Sequence, residues 1–108
     1  MPTNLQFGLK KSTIQKIVDV LRQYSTVERA VLYGSRAKGN YHRGSDIDLT
    51  LVGEDISYQQ LARIENQLDD LLLPYLFDLS IFSHIEDPAM IDHIERVGIV
   101  FYNREHRS

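Results

Sequence analysis

From Asp46 to Leu51 the chain alternates without a break: Asp46, Asp48 and Thr50 are polar, while Ile47, Leu49 and Leu51 are apolar. A period of two sends these sets to opposite faces of a strand, so the segment requires a core on one side only. Helical periods flank it. Ile14, Ile17, Val18 and Leu21 share one face of a helix expected over about Ser12 to Tyr24, with Ser12 and Gln15 spaced as a capping box. A second helix is expected from Ser57 to about Leu72, with apolar Leu61, Ile64, Leu68, Leu71 and Leu72 and an end at Pro74. Asp87-Pro88 opens a third, whose Ile91, Ile94 and Val97 run to Gly98. Ala30–Tyr33, Leu76–Phe82 and Ile99–Tyr102 read as further strands. Alternating helices and strands predict an α/β or α+β fold, one sheet with helices packed on it.

At 108 residues the chain is expected to be one domain, with a core over about 7–102 and a polar tail, 103–108, that frays. Lys+Arg 12 against Asp+Glu 15 gives net charge -3, which argues against a duplex-binding surface but leaves room for a local basic pocket. The chain has no cysteine, which removes thiolate metal sites, disulfides and a cysteine nucleophile, and fits a reducing cytoplasm. Met1 to Leu5 lack a secretory pattern, and no apolar run reaches the ~20 residues a membrane span needs. The six tyrosines show no spacing pattern, and His84, His93 and His106 have no metal-ligand spacing.

Three features do not look like packing. Gly34-Ser35-Arg36 closes a buried strand. Its glycine permits a sharp turn and close approach, and Arg36 and Lys38 add charge suited to phosphate. A strand-to-helix turn capped by Ser35 is the structural alternative. Asp46 and Asp48 stand two strand positions apart, so their Cα atoms lie roughly 6.6 Å apart on one face. Oxygen ligands at that spacing suit a hard divalent ion, and an acidic solvated face is the alternative. Asp78 lies between Phe77 and Leu79 in the most apolar strand, where a carboxylate needs a proton, a metal or an arginine such as Arg29 or Arg63. Together they make one site: a turn for a triphosphate and three acids that repel unless a cation joins them. Two charges ~4 Å apart repel by about 4 kcal/mol at an effective dielectric of 20.

Gly34-Ser35, the ten residues Arg36 to Ser45, Asp46-Ile47-Asp48 and a later Asp78 resemble the nucleotidyltransferase superfamily related to DNA polymerase beta. Over about Phe7 to Tyr102, with Val31–Gly39 and Gly44–Leu49 carrying the likeness, the chain is similar to the minimal nucleotidyltransferases, the MntA-type antitoxins of HEPN–MNT toxin–antitoxin modules. The resemblance implies a mixed β-sheet flanked by helices, ATP as donor, Mg²⁺ (two ions), and transfer of AMP to a tyrosine of a partner HEPN ribonuclease in a type VII-like system. It implies Asp46, Asp48 and Asp78 as catalytic metal ligands, with Asp78 placed to take the acceptor proton. Gly34 and Ser35 would hold phosphates, with Arg36, Lys38 and Ser45 also on the nucleotide. Lys38, His42 and Arg43 either steer the triphosphate or form a solvated patch. A non-catalytic antitoxin that only covers its toxin is the first rival, and a small-molecule nucleotidyltransferase the second. The second usually carries a further helical domain, whereas this chain stops soon after its last strand.

Overall fold

Sheet order decides whether acids thirty residues apart can meet. The computed structural model describes residues 5–104. Its strands are β1 (Leu5–Gln6), β2 (Leu9–Lys10), β3 (Arg29–Tyr33), β4 (Ile47–Val52), β5 (Phe77–Ile81) and β6 (Ile99–Asn103); its helices are α1 (Lys11–Arg22), α2 (Gly34–Lys38), α3 (Tyr58–Asp69) and α4 (Pro88–Val97). β1 and β2 form a small hairpin, and the main sheet runs β5-β4-β3-β6. β3 is antiparallel to both neighbours, whereas β4 and β5 are parallel and joined through α3. The sheet is mixed, with helices on it.

The period-two reading of β4 holds. Ile47, Leu49 and Leu51 are fully buried, and with Leu32 of β3, Ile81 of β5 and Phe101 of β6 they face the apolar sides of α1 and α3, where Ile17, Leu21, Ile64 and Leu68 are buried. Each such side chain contributes about 1.5–3 kcal/mol of transfer free energy. α4 lies on the opposite face, at the β3 side: its Ile94 is buried, and its C-cap Gly98 packs on Val31 of β3. The Asp87 side chain caps α4 by accepting from Ala89 N, with Pro88 in the first turn, as the sequence predicts.

Several boundaries differ. α1 starts at Lys11, directly after β2, with Lys10 at the N-cap and no side-chain cap bond; Ser12 therefore lies inside the first turn and the expected capping box does not form. α3 is capped by Ser57, whose Oγ accepts from Gln60 N, but it stops at Asp69. The chain turns through Leu72 with φ +57, leaving that leucine 87% exposed instead of on the apolar face. β5 forms the sheet edge, so Asp78 is exposed; an apolar strand does not bury a carboxylate when nothing pairs beyond it. Asn103 extends β6, and Arg104 is tied down rather than frayed: its N–H donates to Glu28 O at 2.8 Å and its guanidinium to carbonyls of Arg22, Tyr24 and Val27. The N-terminal residues 1–4 and the rest of the expected tail, His106 included, lie outside the described residues. Among the described residues no helix is long and apolar enough to cross a membrane.

Candidate active site

The site grows from the end of β3. Tyr33 is extended, and Gly34 then takes φ +73 to start the short helix α2. A side chain could not replace its hydrogen, because a Cβ there would collide with Oδ2 of Asp48. The glycine therefore lets the turn lie flat against the carboxylate. Ser35 follows, half-buried, its carbonyl accepting from Gly39 N where α2 ends in a left-handed glycine.

Register supplies the acids. Tyr33 pairs with Asp48 across β3 and β4, and Asp48 pairs with Asp78 across β4 and β5. The exposed Asp46 stands one residue before β4. The Asp48 carboxyl is pushed up to about 6, first by burial, then by the charges of Asp78 and Asp46; Arg36 offsets part of this. The three aspartates thus share one electrostatic neighbourhood. They do not make a closed cage: among the described residues no three carboxylate or imidazole side chains are gathered closely enough to hold a metal ion by themselves. The expected converging triad is a pair in register with Asp46 alongside. Neither Arg29 nor Arg63 forms an ion pair with Asp78 among the described residues.

Two residues expected on the nucleotide turn elsewhere. Arg36 is 2% exposed, and its guanidinium donates to Phe7 O at 2.7 Å, Ser45 O at 2.9 and 3.1 Å, and Arg43 O at 3.2 Å. The rings of Tyr41 and Tyr75 lie 5.3 and 5.0 Å from its Cζ. It is a clamp that ties the 39–46 loop to the β1–β2 turn. Ser45 serves the same loop: its Oγ accepts from His42 N at 2.9 Å. Lys38, His42 and Arg43 are exposed around it.

The sequence reading put Thr50 on the acid-bearing face but missed Tyr33, Ser80 and His93 there. Tyr33, 7% exposed, has its phenol pushed above its ordinary range by burial and by Asp78 and Asp48, with nearby Ser80 acting the other way. Ser80 Oγ donates to Thr50 Oγ1 at 2.8 Å. The available signal was parity: Thr50 follows Asp48, and Ser80 follows Asp78, by two residues. His93 of α4 meets the Tyr33 ring edge-on, with centroids 6.1 Å apart.

A left-handed glycine turn laid on one of two paired acids at a sheet's polar face is the arrangement of a nucleotidyl-transfer domain. The chain belongs to the polymerase beta nucleotidyltransferase family, whose model it matches over residues 15–107. No curated protein sequence matches it. Its fold is similar to a chain of a toxin–antitoxin complex solved with AMP-PNP (21% identity, TM-score 0.69, 85% of this chain and 74% of that one). It is also similar to a chain of an MntA–HepT toxin–antitoxin complex (16%, 0.65, 88% and 74%). A third likeness is to a chain of a complex between a tri-AMPylated HEPN toxin of Shewanella oneidensis and its MNT antitoxin (17%, 0.65, 87% and 72%).

Proposed function

We propose that this chain is an antitoxin that transfers AMP from ATP to a tyrosine hydroxyl of a HEPN-type ribonuclease partner, with which it forms a hetero-oligomer. One observation carries the reading: the backbone at Gly34 lies against Asp48, whose carboxyl is raised by Asp78 and Asp46. Structural packing gains nothing from three acids beside a bare turn, whereas a triphosphate with its divalent ions matches both halves. The likeness to antitoxin chains, one solved with an ATP analogue and another beside an AMPylated toxin, favours ATP and a protein acceptor.

Mg²⁺ fits the donor set, since all three acids offer hard oxygens and the pair at Asp48 and Asp78 is short of positive charge. Asp46, Asp48 and Asp78 would hold it with phosphate oxygens completing its shell. When bound, it would neutralise the triphosphate and polarise the phosphorus under attack. Gly34 and Ser35 offer backbone N–H groups to the β- and γ-phosphates. Asp78, exposed at the sheet edge, accepts the proton of the acceptor hydroxyl. That oxygen bonds to the α-phosphorus as the bond to the β-phosphate oxygen breaks, and pyrophosphate leaves. Lys38 steers the triphosphate, while Arg36 and Ser45 act on it only by shaping the loop.

Incubation with radiolabelled ATP, Mg²⁺ and the HEPN protein encoded beside it tests this. Label is expected on a tyrosine of that protein, falling at least roughly hundredfold in Asp46→Asn, as loss of a charge-stabilising group does. Neutralisation that survives Asp46→Asn with no label transferred would replace the reading with simple covering of the toxin.

A further inference from the structure

Behind the paired acids lies a second matched pair. Thr50 and Ser80 are register partners on β4 and β5, each two residues beyond an aspartate and on the same face. Ser80 Oγ donates to Thr50 Oγ1 at 2.8 Å, and Thr50 is fully buried. Tyr33 of β3, the register partner of Asp48, brings its phenol near Ser80 on the same face. A hydrogen-bonded hydroxyl pair therefore joins β4 to β5 directly behind Asp48 and Asp78, with Tyr33 beside it.

Its position answers a mechanical problem. β5 is an edge strand whose only strand partner is β4, and two like charges in register near its start push it away. Ser80 points away from the buried Leu79 and Ile81, half-buried on the acid face, and donates to the hydroxyl of fully buried Thr50, which would otherwise lack that partner. A hydrogen bond between side chains of two paired strands favours one geometry of the pair.

We propose that Ser80 and Thr50, with Tyr33 packed beside them, form a positioning staple that holds Asp78 beside Asp48 for nucleotidyl transfer. The inference rests on the adenylyl-transfer reading above and adds residues that touch neither nucleotide nor acceptor; they act through the two carboxylates.

Ser80→Ala and Ser80→Thr test it in two measurements. The first is amide hydrogen exchange in the nucleotide-free protein. Exchange in β5 is expected to quicken several-fold in Ser80→Ala, with α1 unchanged, and to return to the parent rate in Ser80→Thr. The second is label transfer at saturating Mg²⁺ and ATP: kcat should fall roughly tenfold in Ser80→Ala through misplacement of the acid pair, with KM for ATP within about twofold, and recover in Ser80→Thr. Unchanged β5 exchange in Ser80→Ala would overturn the staple. So would a lowered melting temperature with kcat intact, which describes a merely structural hydroxyl. If the parent protein transfers no label, the functional reading falls by itself, and the exchange result still decides whether the staple holds β5.

Discussion

Asp48 is the residue at which fold and chemistry disagree. Its carboxyl stands at about 6 against an ordinary 3.8, so between about pH 4 and pH 6 the native state keeps a proton that the unfolded chain has released. Stability of the nucleotide-free protein therefore falls as pH rises through that window, and the full cost of the charge is present above it. Asp48→Asn should raise the melting temperature at pH 8 by a few degrees, as on the order of 1 kcal/mol does in a domain this size. The gain should vanish by pH 4, and thermal scans at pH 4, 6 and 8 check both ends; a lower melting temperature at pH 8 would mean the carboxylate is a structural partner. The same proton competes with a cation. Mg²⁺ with ATP should raise the melting temperature more at pH 8 than at pH 5, because the ligand must be deprotonated to bind. Gly34→Ala tests the other half of the contact. Both its φ of +73 and the nearness of Asp48 oppose a methyl group, so stability should drop by more than about 1 kcal/mol and the nucleotide-induced shift should disappear.

At the scale of elements, Arg36 shows how far residue type alone can be trusted. A cation beside a Gly-Ser turn suggests phosphate, yet this one is spent on three backbone carbonyl groups and two tyrosine rings. Lysine could not reproduce the planar fork. Arg36→Lys should therefore cost roughly 2 kcal/mol or more, as loss of charged hydrogen bonds does, and expose the 39–46 loop to limited proteolysis; an uncut loop at parent stability would reject the clamp. What could be read in advance follows the same division. Periodicity announced both faces of β4, the apolar sides of α1 and α3, and the Asp87-Pro88 start of α4, because each rests on neighbours in the chain. The exposure of Asp78 and the Ser80–Thr50 contact depend on strand order and register, which no local pattern carries. The Ser12 cap failed for a related reason: the β1–β2 hairpin delivers the chain to the helix two residues early, with Lys10 at the N-cap.

For the whole molecule, what matters is where the sheet is left uncovered. α1 and α3 close one face, and α4 covers the other only at the β3 side, so Asp48 and Asp78 stand towards the open edge at β5. The notch between α3 and β5, lined by Glu65, Asn66, Asp69, Tyr75, Leu76 and Phe77, does not include the acids. Asp78 is exposed on the edge strand, so a small hydroxyl compound beside it stands open to solvent, whereas most of its binding energy must come from walls that exclude water. A folded partner brings its own surface and is not so limited. Label from ATP should accordingly pass to the HEPN protein, while aminoglycosides and nucleosides at millimolar concentration should neither accept label nor slow that transfer. Efficient labelling of such a compound by the isolated chain would mean that the open face shelters a small acceptor after all, and the second rival reading would take precedence. The outcome depends on geometry rather than on the acids, which both reactions would use alike.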